Sequence, residues 1–272
     1  MHLTRKSAKK PIIFILISGL VSILAFVFIS KIITNRQSNQ PQEQKGFPWI
    51  YSYGAPGETQ KSSKKETEKE ERDLPENRKV NSEIPEKFLL DIPFYSQAPF
   101  ANWDAVHEEM CEEAAILNAG LYLLDKKLAL KDYEEELMKM KKIQKKEFGN
   151  YKSTTIKQTK KLVDIYFEGK IKSKIISNPT VKQIETEISN GNPIVVPLSG
   201  RDIGNPNFTP PGPIYHMLVI KGYDKLSFIT NDVGTRNGNS YTYKKEIIMK
   251  NIHDWNEKDI RLGKKRVLVL HK

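Results

Sequence analysis

Apolar residues downstream of residue 85 recur with two different spacings, and the spacing changes part-way along the chain. A helix with one buried stripe is predicted from Met110 onward, at Met110, Ala114, Leu117, Leu121 and Leu124. Amphipathic helices are predicted at 131–149 and 153–167, and a short helix is predicted after the capping-box residues Thr180 and Gln183. Because strand patterns follow this helical half, segment 85–272 is predicted to form one α+β domain.

Strand-forming segments make up the rest of this domain. Strands are predicted at 88–93, 171–176, 193–198, 241–243 and 266–270. The segment 215–232 is typical of two antiparallel strands joined near Asp224. The loop 199–213 is rich in Gly, Pro and Asn, a composition that often shapes the rim of a binding site.

A long apolar segment lies near the N-terminus. Residues 11–30 form an uncharged run of the length that a bilayer-spanning helix needs. We therefore predict a basic cytoplasmic N-terminus at 1–10 and a single transmembrane anchor at 11–33, with the rest of the chain outside the cytoplasm by the positive-inside rule. A cleaved signal peptide is the alternative, although 30–34 lack the Ala-x-Ala-like site that such a peptide uses.

The stretch 34–84 is rich in Gln, Ser, Pro, Lys and Glu and offers little to bury. This composition predicts a disordered charged linker, with a solvated helical stalk as the alternative. The chain carries a formal net charge of +11, but its basic residues are interleaved with acids along the sequence. We therefore predict no nucleic-acid partner, and the positive charge favours attraction to an anionic cell surface.

The single cysteine, Cys111, is predicted to lie in the first turn of a helix. Unpaired backbone N–H groups and the positive end of the helix dipole favour a thiolate there, and the thiolate is the nucleophilic form. Glu112 and Glu113 follow directly, and two carboxylates raise the pKa of a thiol unless they point to solvent. A thiolate of low pKa is therefore predicted if both glutamates face solvent, and a small buried hydrophobic residue is the alternative.

A histidine and two candidate partners lie at one open edge of the predicted hairpin. His216 begins the first strand, and Asn231 and Asp232 end the second. Such an arrangement suits a base that takes the thiol proton and a group that fixes its tautomer. A two-residue turn places Asn231 on the histidine's face, whereas a longer turn or a bulge places His216 opposite Asp232. Both partners stay open from the sequence.

Two other histidines are given no catalytic role. His107 lies four residues before Cys111 and is interpreted as a surface residue near the cleft. His253, which Asp254 follows, is interpreted as surface or helix-end structure. Since there is no second cysteine and no HExxH-type pair, no metal site and no cofactor are predicted.

Several short motifs carry a resemblance to a known family. DIPFYSQ at 91–97, NWD at 102–104, CEEAA at 111–115 and a histidine-initiated strand ending in GYD at 222–224 resemble the bacteriocin-processing cysteine peptidases that cleave double-glycine leaders, together with their stand-alone relatives. The resemblance covers about residues 90–243. It implies a papain-like architecture, with a helical half that carries the nucleophile and an antiparallel sheet half.

The resemblance also implies roles for four residues. Cys111 matches the nucleophile, His216 the base and Asp232 the third member of the triad. Gln97 matches a glutamine that helps to form the oxyanion hole. Many relatives have Gly-Pro after the cysteine, whereas this chain has two glutamates at 112–113.

These features together predict a membrane-anchored extracytoplasmic cysteine peptidase, a bacterial hydrolase that cleaves a peptide or protein substrate. An amidase or transpeptidase acting on cell-wall peptides is one alternative. A non-catalytic surface binding module on the same fold is another. The 272 residues contain no transporter or nucleotide-binding part, so double-glycine specificity is not carried over, and the oligomeric state stays open.

Overall fold

The computed structural model describes residues 84–272. The predicted N-terminus (1–10), the predicted anchor (11–33) and all but the last residue of the predicted linker (34–84) lie outside the described residues. The helices are α1 (Cys111–Leu123), α2 (Leu130–Phe148), α3 (Ile156–Tyr166), α4 (Val181–Ser189) and α5 (Lys245–Asn251). The strands are β1 (Phe88–Leu89), β2 (Lys172–Ser177), β3 (Ile194–Ser199), β4 (Tyr215–Tyr223), β5 (Ser227–Asn231), β6 (Tyr241–Lys244) and β7 (Arg266–His271). The α+β class predicted from the sequence is confirmed.

Local sequence signals set the ends of three helices. Gly149 ends α2 in the left-handed conformation, with a φ of 81° that glycine adopts without steric penalty. Thr155 and Thr180 cap α3 and α4, and the side chains of Gln158 and Gln183 complete a capping box at each helix. The box at Thr180 and the stop at Gly149 were predicted and are confirmed.

Helix α1 is buried on almost all sides, which differs from the single stripe that its apolar spacing predicted. All of its residues except Tyr122 are buried, including Glu112, Glu113 and Asn118. The helix packs against β3, β4 and β7 and against α2. Because the sheet and its neighbouring helix enclose it, polar residues that the spacing assigns to a solvent face lie inside the protein.

The strands form one antiparallel sheet in the order β2-β7-β3-β4-β5-β6, and β1 pairs with the C-terminal end of β4. Every residue of β3 and of β4 is buried, because each strand lies between two others in the sheet and the helices α1 and α4 pack against both strands. Ser199 at the end of β3 pairs with Tyr215 at the start of β4. The connection 200–214 therefore leaves and re-enters the sheet at one edge, directly beside His216.

The β4–β5 hairpin contains a bulge at Lys221. On its turn side Tyr223 pairs with Phe228, and on its other side Val219 pairs with Asn231. An inserted residue shifts the register by one and thereby exchanges the two faces. If the register is extended past the last pair, Asp232 lies opposite Leu218, so it shares the face of His216. Of the two arrangements left open by the sequence, the one with a bulge and a shared face for Asp232 and His216 is confirmed. Asp232 does not lie directly opposite His216, however, because the two positions are offset by two residues.

The described residues contain no helix that combines the length and the apolar character of a membrane span. The longest helix among them, α2, has a low mean hydropathy and many Lys and Glu residues. The anchor predicted at 11–33 concerns other residues, so it stays a prediction.

Candidate active site

His216 and Asp232 form a buried hydrogen-bonded pair. His216 Nε2 lies 2.8 Å from Asp232 Oδ1, and the two side chains are 2% and 0% exposed. Because a carboxylate accepts, Nε2 carries the hydrogen and Nδ1 keeps its lone pair. Asn231, the alternative partner, donates its amide to the backbone carbonyls of Ile92 and Pro93. The residue beside the imidazole is therefore Asp232.

Two further side chains hold the second oxygen of Asp232. Asn205 Nδ2 donates to Oδ2 over 2.9 Å, and the hydroxyl of Tyr243 donates to the same oxygen over 2.5 Å. Burial alone raises the pKa of the Asp232 carboxyl, but His216, Tyr243 and Asn205 together hold it below its usual value. The aspartate is thus kept ionised although no part of it reaches solvent.

The imidazole of His216 is enclosed by the loop that was predicted to shape a rim. The ring of Phe208 meets it edge to face, with 5.2 Å between centroids and an interplanar angle of 75°. On another side the backbone approaches so closely that a Cβ on Gly234 would lie 2.7 Å from His216 Cε1. Loop and backbone together restrict the orientation of the ring.

Cys111 begins α1 beside the strand that carries His216. The backbone N–H of Met217, the residue after His216, acts to lower the pKa of the thiol. The thiol itself donates to Glu112 Oε2 over 3.1 Å. Helix α1 thus packs against β4, but the hydrogen bond of the thiol goes to Glu112 and none joins it to the imidazole of His216.

The condition for a thiolate of low pKa is not met. Glu112 and Glu113 are 1% and 0% exposed, so neither faces solvent. Burial raises the pKa of the Cys111 thiol well above its usual value, and the charge and hydrogen bond of the adjacent Glu112 add to this effect. The N–H of Met217 acts in the opposite direction but does not outweigh them. The prediction of a lowered thiol pKa is therefore wrong for this arrangement.

The two glutamates differ in their hydrogen bonds. Glu112 Oε1 accepts from the backbone N–H of Thr154 over 2.7 Å. Neither carboxyl oxygen of Glu113 has a hydrogen-bond partner among the described residues. Burial raises the pKa of both groups, and that of Glu113 is raised the further above its usual range. Because a buried carboxylate without a donor is strongly disfavoured, Glu113 is expected to be neutral at neutral pH.

Gln97 lies close to the N-terminus of α1, but its amide is already engaged. Its Nε2 donates to the carbonyls of His107, over 2.7 Å, and Glu108, over 3.2 Å. Its Oε1 is buried and has no partner among the described residues. Exchanging the two amide atoms would set an oxygen against two carbonyl oxygens, so the observed orientation is the favourable one. In this orientation the atom left over is an acceptor, which cannot bind an oxyanion.

His107 and His253, two histidines outside the candidate site, bind structural partners. His107 is 3% exposed, so its interpretation as a surface residue is wrong. Its ring nitrogens lie 2.8 Å from Asp104 Oδ1 and 2.8 Å from Glu134 Oε1, which ties the segment before α1 to α2. His253 lies just after α5, partly exposed, with Nδ1 3.1 Å from the carbonyl of Gly263. The helix-end interpretation of His253 is confirmed.

Comparison with known proteins identifies the family. The family model described as Peptidase_C39 like family matches residues 89–259, which is more than half of the chain. The chain belongs to the Peptidase_C39 like family. Among the solved structures similar to this chain is the crystal structure of a candidate C39-like peptidase from Bacillus anthracis. It is 15% identical, has a TM-score of 0.47, and the match covers 69% of this chain and 98% of that one. No curated protein matches the chain.

The α+β fold and antiparallel sheet fit a C39-like fold. Three side chains of the candidate site were not identified from the sequence: Asn205, Phe208 and Tyr243. Asn205 and Tyr243 lie 27 and 11 residues from Asp232, so no local spacing links them to it. Among the residues the structure describes, no group of three His, Cys, Asp or Glu side chains is arranged to hold a metal ion.

Proposed function

We propose that this C39-like chain is a cysteine peptidase that hydrolyses peptide bonds. Cys111 is the nucleophile, His216 is the base, and Asp232 orients His216. The observation that carries the proposal is the buried 2.8 Å hydrogen bond between His216 Nε2 and Asp232 Oδ1. It occurs at the start of the strand against which Cys111 begins its helix, in a layout that suits a papain-like peptidase.

Hydrolysis begins with transfer of the Cys111 proton to Nδ1 of His216. The sulfur bonds to the carbonyl carbon of the peptide, the C–N bond then breaks, and the imidazolium gives its proton to the departing amine. A water molecule then gives a proton to His216 and attacks the thioester. The C–S bond breaks, the carboxylic acid product leaves, and the sulfur takes the proton back from His216 to restore the thiol. Since the thiol points to Glu112 in the described arrangement, it has to rotate toward His216 before the first step.

The oxyanion formed during attack needs N–H donors. The first backbone N–H groups of a helix have no partner inside it, so the N–H of Cys111 is one donor. Gln97 is proposed as the second donor. Its amide becomes available if the longer of its two bonds, 3.2 Å to the carbonyl of Glu108, opens when substrate binds.

The enzyme is proposed to be anchored in the cell membrane by residues 11–33, with its domain outside the cytoplasm and an extracytoplasmic peptide or protein as its substrate. The basic residues before an uncharged run support this orientation. Protease treatment of intact cells is expected to remove the domain. Digestion only after lysis would contradict the orientation.

A non-catalytic binding module is the second candidate, and one observation favours it. The Cys111 thiol is 6% exposed and bonded to a buried carboxylate, which opposes its ionisation. Such a protein would keep its affinity for a peptide ligand without forming any thiol-dependent product.

Peptide profiling of cell-surface proteins separates these functions. Cells expressing the full-length chain are compared with cells expressing Cys111→Ala, His216→Ala and the control His253→Ala. New peptide N-termini are expected with the unchanged chain and with His253→Ala, but not with the other two variants. Products joined to a second amine would indicate transpeptidation instead. Binding without any product that depends on Cys111 would refute catalysis.

A further inference from the structure

The carboxyl group that accepts the hydrogen bond of the Cys111 thiol is itself held in place by neighbouring groups. Glu112 Oε2 lies 3.1 Å from the thiol sulfur, while Oε1 is held by the N–H of Thr154 at 2.7 Å and faces the Thr154 hydroxyl at 3.4 Å. The Thr154 hydroxyl lies 3.0 Å from that of Thr159 in α3. Because Oε1 is fixed by the residue that precedes the α3 cap, Oε2 is held in its position beside the thiol.

We propose that Glu112 is a hydrogen-bond acceptor for the Cys111 thiol, and that this contact holds the resting nucleophile as a neutral thiol and sets the pH range in which it becomes reactive. The inference deepens the proposed function and rests on it. His216 remains the base for turnover. Glu112 decides how readily the thiol gives up the proton that His216 takes.

The charges around Glu112 determine the direction of this effect. The surrounding titratable groups are Cys111 and Glu113 on α1, Glu109 on the preceding turn and Tyr215 on β4. Glu109 is paired with Lys152 at 3.3 Å, the hydroxyl of Tyr215 donates to the carbonyl of Thr154, and Lys141 faces Glu113. The group in hydrogen-bond contact with the thiol is thus an acid, and an ionised acid opposes formation of a thiolate beside it.

The proton balance is simple. In the resting protein the S–H bond is intact and donates to the Glu112 carboxylate. During attack the S–H bond breaks, the proton goes to His216 Nδ1 and the sulfur bonds to the substrate carbonyl, while Glu112 stays ionised and keeps the Thr154 N–H. If Glu112 is protonated instead, its O–H donates to the sulfur and stabilises the thiolate.

Glu113 provides a matched control. It is the next residue, equally buried, and has no hydrogen-bond partner among the described residues. Glu112→Gln and Glu113→Gln each remove one carboxyl group at nearly constant volume. If the contact with the thiol matters, the two substitutions must differ.

The test measures the rate of iodoacetamide labelling against pH in the full-length chain, in Glu112→Gln and in Glu113→Gln. Labelling reports on Cys111 alone, because the chain has one cysteine. The midpoint of the profile is the readout, since limited access lowers the rate at every pH alike. Glu112→Gln is expected to lower the midpoint by about 1–3 pH units. Each unit gives roughly tenfold more thiolate, offset in part by its lower nucleophilicity, so the neutral-pH rate rises about threefold per unit.

An unchanged midpoint in Glu112→Gln, or an equal shift in Glu113→Gln, would overturn the inference. If Glu112→Gln does not fold, the infrared S–H stretching band of the unchanged protein gives the answer, since only a thiol has this band. Its presence at neutral pH is expected, and its absence would overturn the inference. Labelling needs no turnover, so a chain that forms no peptide product but shows the shift would refute the proposed function and leave the role of Glu112 standing.

Discussion

Removing the carboxyl group of Glu113 should change how the stability of the domain depends on pH. Both carboxyl oxygens are buried without a partner among the described residues, and burial raises the pKa of this group well above its usual value. Next to it, the charge of Glu112 acts in the same direction. The native protein therefore retains a proton on Glu113 at pH values where the unfolded chain has released it.

The sign follows from proton binding. A glutamate in an unfolded chain titrates near pH 4.3, so above that pH the unfolded state binds fewer protons than the native state and stability falls as pH rises. The slope is about 1.4 kcal/mol per pH unit until the folded pKa is reached. Over two pH units in which the native state keeps this proton, the contribution of Glu113 to the free energy of unfolding therefore falls by about 3 kcal/mol.

Urea unfolding of the full-length chain, followed by tryptophan fluorescence at several pH values, measures this slope. Glu113→Gln is expected to have a flatter curve between pH 5 and 7 than the unchanged chain, whatever its stability at a single pH. Glu135→Gln removes a carboxyl group that is 56% exposed on α2 and serves as the control, with little change in slope expected. Parallel curves for the unchanged chain and Glu113→Gln would refute the reasoning that Glu113 is neutral.

Three further substitutions test the site and the core. Gly234→Ala is expected to slow product formation about 100-fold in a mass-spectrometric assay, because its Cβ would lie 2.7 Å from His216 Cε1 and displace the ring; an unchanged rate would argue against a role for this histidine. Asp232→Asn should slow turnover by about 10²–10⁴-fold. The pKa of Asp232 is lower in the folded protein than in the unfolded chain, where it is about 3.9. The ionised Asp232 therefore stabilises the fold above that value, and this stabilisation is lost as pH falls through the folded pKa. Acid unfolding of Asp232→Asn should lack this pH-dependent loss of stability. Gly120→Ala would place a Cβ 2.2 Å from Cζ of Phe167 and should cost about 1–3 kcal/mol in urea unfolding, with partial recovery when Phe167→Leu is added; additive effects of the two changes would contradict that contact.

Some features of the domain follow from residues that are close together in the chain. The Thr180 capping box, the helix stop at Gly149 and the apolar run 194–198 of strand β3 each depend on a few neighbouring residues, and each occurs where its pattern predicts it. Short motifs around Cys111 and His216 similarly indicate the peptidase-like family. Conformational preferences and the spacing of apolar residues act over one or two helical turns. The sequence alone is therefore enough to predict the features that depend on them.

The features that only the tertiary structure decided involve burial and contacts between distant residues. A bulge at Lys221, rather than the composition of either strand, puts Asp232 on the face of His216. Asn205 and Tyr243 reach Asp232 from a loop and from another strand. Glu112 lies inside the protein because α1 is enclosed by the sheet and α2, which reverses the expected effect on the Cys111 thiol. Charge and period predict which face of a helix is polar, but whether that face meets solvent, and hence which protonation state is favoured, depends on what packs against it.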